Sequence, residues 1–242
     1  MITDPKPKQY CYIFGASGDI GLAAAKRLRA AGLKLVLFAN QHADRLRAES
    51  LLKNELIIEL DLLNSDEITA TLSDLISLYP ARQLLYAAGI SHYALFQNSP
   101  LEIQDQIFQI NYRAYAQILH HLIPVFLQQG GGDCLAIASI QAEDPASMEA
   151  VYAASKAAMV ALTRSLAAEL GPSKIRFNTI APGWIDGEMN AHFSEEEKKA
   201  FLEDVALMRS GKPEEVAELC HFLLSDAAAY ITGQCFRIDG GI

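Results

Sequence analysis

The 242-residue chain has no apolar stretch near the eighteen or so residues that a membrane span requires. The run Tyr10–Phe14 ahead of its first glycines is too short for the core of a secretory signal. Cysteine is sparse: Cys11, Cys134, Cys220 and Cys235 lie far apart with no C-x-x-C pair. That spacing disfavours a disulfide or metal framework and fits buried free thiols in a reducing compartment. Clusters of Lys and Arg are lacking as well. Twenty basic against 29 acidic residues leave a net charge of −9, which argues against a nucleic-acid partner. No Pro/Ser-rich linker, repeat or low-complexity tract divides the chain. A cytoplasmic, single-domain protein (residues 1–242) with no membrane partner is expected. Its 51% of apolar residues suffice to bury a core.

What is present is an alternation. Short runs rich in apolar, β-branched or aromatic residues occur at Tyr10–Phe14, Lys34–Phe38, Leu56–Leu60, Gln83–Tyr86, Cys134–Ala138, Ile175–Ile180 and Cys235–Ile238. Between them lie helical patterns near 18–31, 43–53, 65–79, 100–110, 112–129, 150–170 and 213–225. Gly32 can end the first helix, Asn64-Ser65 can cap the third, and Gly171-Pro172 can stop the longest. Alternation of this kind predicts βαβ units with right-handed crossovers. The fold class is therefore α/β: a doubly wound, Rossmann-type domain with a seven-stranded parallel sheet and helices on both faces. The exception is the long connection 183–212, which reads as a substrate lid; its Glu195–Lys199 run is the solvated face of a short helix.

The first strand runs into Phe14-Gly15-Ala16-Ser17-Gly18-Asp19-Ile20-Gly21, which opens the first helix. Glycines there let backbone N–H groups approach a pyrophosphate at a helix N-terminus, although a plain tight turn uses them too. Sites for NAD usually carry a carboxylate near the end of strand two, accepting from the adenosine ribose. Here that strand ends Phe38-Ala39-Asn40-Gln41-His42, with none before Asp44. NADP(H) is therefore favoured over NAD(H), with His42 or Arg45 as the available positive groups. Asp61 closes strand three, where it can accept from adenine or cap the following helix.

Ser139 ends strand five, and Tyr152 and Lys156 follow in one helical segment. Their i, i+4 spacing places the phenol and the ammonium on one face. A phenol near pKa ~10 is a poor acid or base at neutral pH, so a neighbouring cation is expected to pull it down. Ser139 can polarise a carbonyl oxygen. Tyr-x-x-x-Lys alone reads more readily as a surface pair; the serine and the upstream glycine turn reverse that in favour of chemistry.

With these motifs in view the chain resembles the short-chain dehydrogenase/reductase superfamily from about Gln9 to Gly241. The resemblance rests on the GASGDIG turn, Asp61, Ala88-Gly89, Asn111 in QINYRAY, Ser139, Tyr152-Ala-Ala-Ser-Lys156, Asn178-Thr-Ile-Ala-Pro-Gly183, and Tyr230-Ile-Thr-Gly-Gln with Asp239-Gly-Gly. The length and the 211–234 tail most resemble the 3-oxoacyl-[acyl-carrier-protein] reductase-like branch. The resemblance implies a catalytic set of Asn111, Ser139, Tyr152 and Lys156. Tyr152 would be the general acid and Lys156 would hold the nicotinamide ribose. Ser139 would position the substrate oxygen, and Asn111 would hold a water linking Lys156 to solvent. It also implies a cofactor site of Gly15, Ser17, Gly18, Asp19, Ile20, Gly21, Asn40, Asp61, Leu62, Ala87, Ala88, Gly89, Tyr152, Lys156, Pro182, Gly183 and Ile185. The Ile185 backbone would bind the carboxamide. Relatives are usually tetramers built on the helices near 112–129 and 150–170, so a homotetramer or homodimer is implied.

Four departures from the pattern stand out. Asp19 replaces the middle glycine of the turn and must face away from a pyrophosphate or cap the helix. Phe14 stands for a common threonine, Tyr86-Ala87 for paired asparagines, and Gly187 for a threonine that commonly bonds the carboxamide.

The pocket is expected from Gln141, Glu143, Pro145, Met148, Trp184, Met189, His192 and Phe193. No metal is expected, because the adjacent His120 and His121 point about 100° apart on a helix. Three functions remain open: an NADPH-dependent reductase of a 3-oxoacyl thioester-like carbonyl, a dehydrogenase of a small alcohol, sugar or polyol, and a weakly catalytic NADP(H)-binding protein. Acyl-carrier protein is acidic, yet Val125–Asp133 has no basic residue and only Lys174 and Arg176 lie nearby. That argues against a carrier-protein partner.

Overall fold

The apolar runs pair side by side into one parallel sheet in the computed structural model, which describes residues 9–191 and 193–242. Its strands are β1 (Tyr10–Phe14), β2 (Leu35–Ala39), β3 (Leu56–Glu59), β4 (Ala81–Tyr86), β5 (Gly132–Ile137), β6 (Ile175–Pro182) and β7 (Cys235–Ile238). Their spatial order is β3-β2-β1-β4-β5-β6-β7, all parallel. The eight helices of the described residues are α1 (Asp19–Ala30), α2 (Ala43–Arg47), α3 (Ser65–Leu78), α4 (Leu101–Phe108), α5 (Ala114–Gln128), α6 (Ala150–Leu170), α7 (Glu195–Glu203) and α8 (Pro213–Leu223).

Alternate residues of each central strand feed two cores. Tyr12, Phe14, Val36, Phe38, Leu84 and Tyr86 pack with α3, α5 and α6 on one face. Cys11, Ile13, Leu35, Leu37, Leu85 and Ile137 pack with α1 and α8 on the other. A strand covered on both faces tolerates no polar alternation, which is why these runs are continuously apolar. Phe14 pairs in register with Phe38 on one side and Tyr86 on the other. Its ring stacks on Phe38 at 4.1 Å and lies 6.1 Å from Tyr86. Two departures from the family pattern, Phe14 and Tyr86, thus fill one buried aromatic layer. Cys11, Cys134 and Cys220 are buried free thiols and Cys235 is half-buried. Burial pushes the Cys220 thiol up to about 12, far from reactive.

Two helices differ from the expected boundaries. The 43–53 pattern yields a helix only to Arg47. Between it and β3, the Glu55 carboxylate accepts from the Leu35 amide at 2.8 Å and forms an ion pair with Arg29 at 2.6 Å, fixing the start of β3 beside β2. The patterns 100–110 and 112–129 join through a π-turn, Gln109–Arg113. The Tyr86 hydroxyl donates to the Ile110 carbonyl, and Asn111 at the centre is fully buried. Such turns offset the helical ladder and recur at functional positions. Inside 183–212, Ser194 caps α7 in a capping box with Glu197, as the solvated Glu195–Lys199 run requires. Among the described residues no helix is long and apolar enough to cross a membrane.

Candidate active site

Parallel strands bring every strand C-terminus to one edge, so the segments after β1 to β6 converge there. The strand order reverses direction between β1 and β4, the position where doubly wound sheets open a ligand crevice. Gly15 and Gly21 shape the β1 side of that crevice. A Cβ on Gly15, whose φ is +74°, would lie 2.5 Å from the Ala88 nitrogen; one on Gly21 would lie 2.1 Å from the Gly15 carbonyl oxygen. The turn is therefore folded tightly onto the Ala87–Gly89 segment, and Ala87 itself donates to the Phe14 carbonyl at 2.9 Å. Leu22 is the first α1 amide to find a helical acceptor, Gly18, at 2.8 Å. The preceding amides of Asp19, Ile20 and Gly21 are a helix's unsatisfied N-terminal donors, with Gly18 and Ser17 leading into them. This backbone fits the pyrophosphate of a dinucleotide.

Asn40 follows β2 and donates to Asp61 at 3.4 Å. Asp61 also accepts from the Leu63 amide at 3.0 Å, with Leu62 between them, whereas the cap of α3 is Asn64, accepting from Glu67. Of the two roles open for Asp61, the helix cap falls to Asn64. Pro182 ends β6, and Gly183 donates to Ile238 at 3.0 Å. A Cβ on Gly183 would lie 2.8 Å from the Asp239 side chain. Ile185 is buried, bridges to Gly211, and offers its carbonyl to Asn190 at 2.8 Å.

Ser139, Tyr152, Lys156 and Asn111 gather between the ends of β4 and β5, all buried. Ser139 Oγ accepts from the Gln141 amide at 3.2 Å. Lys156 Nζ donates to the Ile137 carbonyl at 2.7 Å and lies 5.7 Å from the Tyr152 ring centre. Gly89 lets this group close: a Cβ there would be 3.1 Å from Lys156 Nζ and 3.4 Å from Asn111 Oδ1. Asn111 also donates to Ser155 Oγ at 2.9 Å, and Ser155 donates to the Tyr152 carbonyl at 2.7 Å. The motif positions do not single out Ser155. Its signal was present, because it lies three residues past Tyr152 on the same helical face.

Burial dominates the titration of this group. It lowers Lys156 from 10.5 to about 7. It raises Tyr152 to about 12, against the lowering effect of Ser139 and with a further raise from Glu149. Without nucleotide, Lys156 donates to Ile137 and desolvation of the phenolate prevails over any lowering of the phenol. At neutral pH Tyr152 holds its proton.

Around this centre Gln141 donates to Glu149, while Glu143 turns to Arg164 of α6 at 3.0 Å. Met148 adopts φ 69° and its carbonyl accepts from Ala94 at 2.9 Å. Trp184 packs on Phe193 and Phe201 at 5.0 Å each, and Phe193 meets Tyr93 at 5.1 Å. Met189 is exposed. His192 lies outside the described residues. His120 and His121 face each other edge-on, and no group of three His, Cys, Asp or Glu among the described residues can hold a metal.

The sequence matches the family model described as enoyl-(acyl carrier protein) reductase over residues 15–242. It is 32% identical over 235 residues to an uncharacterized oxidoreductase, YmfI, of Bacillus subtilis, covering 95% of this chain and 96% of that one. It is 33% identical over 232 residues to the 3-oxoacyl-[acyl-carrier-protein] reductase FabG of Rickettsia felis, covering 95% of each. The crystal structure of gox2181 superimposes with a TM-score of 0.90 at 25% identity, over 96% of this chain and 95% of the other. The chain is therefore an NAD(P)-dependent oxidoreductase that belongs to the short-chain dehydrogenase/reductase superfamily, in its 3-oxoacyl-[acyl-carrier-protein] reductase-like branch.

Proposed function

We propose that the protein is an NADP(H)-dependent reductase that converts a ketone, 3-oxoacyl-thioester-like, to a secondary alcohol. The observation carrying this reading is the joint burial of Ser139, a protonated Tyr152, Lys156 and Asn111. The bound nicotinamide supplies the hydride. Ser139 holds the carbonyl oxygen, and Tyr152 gives up its phenolic proton as the alkoxide forms. Lys156 would hold the nicotinamide ribose, and its charge beside the phenol would ease that proton's departure. The Asn111 side chain is committed to Ile90 and Ser155, so the relay water assigned to this residue would be held by its main chain in the π-turn. The segment 183–212 serves as the substrate lid of a single dinucleotide-binding and catalytic domain. Trp184, Phe193 and Met189 would form its inner wall opposite Gln141 and Met148.

NADP(H) is favoured because β2 is followed by Asn40, without a carboxylate to repel a 2′-phosphate. A carrier-protein substrate is disfavoured. Arg176 is consumed internally, bonding Asp133 at 2.8 Å and the carbonyls of Ala228, Ile231 and Ser225. Exposed Leu95, Phe96 and Leu101 at the start of α4 support a homotetramer or homodimer.

A second reading, a dehydrogenase of a small alcohol, sugar or polyol, draws on the polar Gln141–Glu149 pair beside Tyr152. Rates with NADPH and NADH on free, CoA-linked and carrier-linked 3-oxoacyl substrates, and with NADP and NAD on polyols, separate the two. Faster turnover of CoA-linked or free ketones with NADPH is expected. A carrier-linked preference, or turnover of polyols alone, would overturn the respective part.

A further inference from the structure

Two of the residues that depart from the family pattern, Asp19 and Gly187, are 168 positions apart in sequence and touch in space. Both oxygens of the Asp19 carboxylate are engaged. Oδ1 receives Arg45 Nη2 at 2.6 Å, and Oδ2 receives the backbone N–H of Glu188 at 2.8 Å. Arg45 also donates to the Ser17 carbonyl at 3.1 Å and approaches the Glu188 carboxylate at 3.7 Å. A Cβ on Gly187 would lie 2.2 Å from Asp19 Oδ2 and 2.9 Å from its Cγ. The carboxylate therefore occupies the space a side chain at 187 would need. It also points away from the α1 amides, leaving them free for phosphate.

We propose that Asp19 is a positioning residue that docks the 183–212 connection on the N-terminus of α1 and so fixes the main chain at Ile185 before nucleotide binds. Gly187 is the counterpart that admits the carboxylate, and Arg45 holds it in its docked rotamer. Ile185 lies two residues before the docked glycine, with its carbonyl held by Asn190 and its backbone bridged to Gly211. Movement of residues 187–188 would be transmitted directly to it. That Ile185 then faces the nicotinamide rests on the function proposed above; the docking itself does not.

The test is a double-mutant cycle of Asp19→Gly and Gly187→Ala, read in the nucleotide-free protein by hydrogen exchange of the 185–191 backbone and, separately, by NADPH affinity from its fluorescence. Any intrinsic backbone cost of either substitution appears in both backgrounds and cancels in the cycle. Gly187→Ala should speed exchange of the segment and weaken NADPH about 10-fold in the wild-type background, but change either less than about 3-fold in the Asp19→Gly background. Asp19→Asn, which keeps an acceptor for the Glu188 amide, should fall between wild type and Asp19→Gly; it carries the test if the glycine variant does not fold. Unchanged exchange in the Asp19 variants, or effects that simply multiply in the double variant, would overturn the proposal. Coupled exchange in a wild-type protein that binds neither NADPH nor NADH would contradict the proposed function and uphold the docking.

Discussion

Asn111 brackets the backbone of Ile90: its Oδ1 accepts from the Ile90 amide at 2.9 Å and its Nδ2 donates to the Ile90 carbonyl at 3.0 Å. The same Nδ2 reaches Ser155, so one buried amide ties the segment after β4 to the catalytic helix α6. Asn111→Leu would leave two buried backbone groups and a hydroxyl without this partner. A loss of at least about 2 kcal/mol in chemical denaturation is expected. Ser155→Ala should cost less, because it removes one member of the chain and leaves the Ile90 bracket intact. Equal or negligible losses for the two would contradict the network.

The Lys156 ammonium makes stability depend on pH. Burial lowers its pKa from 10.5 to about 7. Between those values the unfolded chain binds a proton that the folded protein does not, so folding stability rises with pH across this window. Below about pH 7 the folded protein carries the buried charge and the penalty is present in full. The gain from pH 7 to 10 should reach up to about 4 kcal/mol in the nucleotide-free protein and vanish in Lys156→Met. Identical slopes for wild type and variant would contradict this.

The glycine turn gives a steric contrast. Gly21→Ala places a methyl on the Gly15 carbonyl, whereas nothing lies within 4 Å of a Cβ at Gly171. Gly21→Ala should cost about 1–3 kcal/mol or more and abolish nucleotide binding, and Gly171→Ala should stay within about 0.5 kcal/mol of wild type. Thermal melts with and without NADPH check both.

Arg176 separates structure from docking. Its pair with Asp133 is largely buried, at 13% and 16% side-chain exposure. Arg176→Gln should destabilise the fold by about 3 kcal/mol while leaving the KM for any acyl substrate within about 2-fold. A selective rise in KM for carrier-linked substrate would show that this arginine meets the carrier.

Much of the fold was legible because continuous apolar runs and helical periods report burial, which is local information. Strand positions fall within one or two residues for this reason, and Asn64 announces its helix by capping chemistry. The truncation at Arg47 was not legible, since the helical pattern itself runs on to residue 53. Nor was the π-turn, which depends on where Tyr86 places its hydroxyl. The candidate site was legible as residue types and spacings. The partners of Asp19, the bond between Gln141 and Glu149, and the upward rather than downward position of the Tyr152 pKa follow from packing that spacing does not encode.

The assignment of Tyr152 as proton donor is tested most directly by ketone-dependent NADPH oxidation in wild type and Tyr152→Phe, with NADPH affinity measured alongside. The expected result is a loss of about 10³-fold in turnover with NADPH affinity within about 3-fold of wild type. Turnover that survives the loss of the hydroxyl would contradict the assignment.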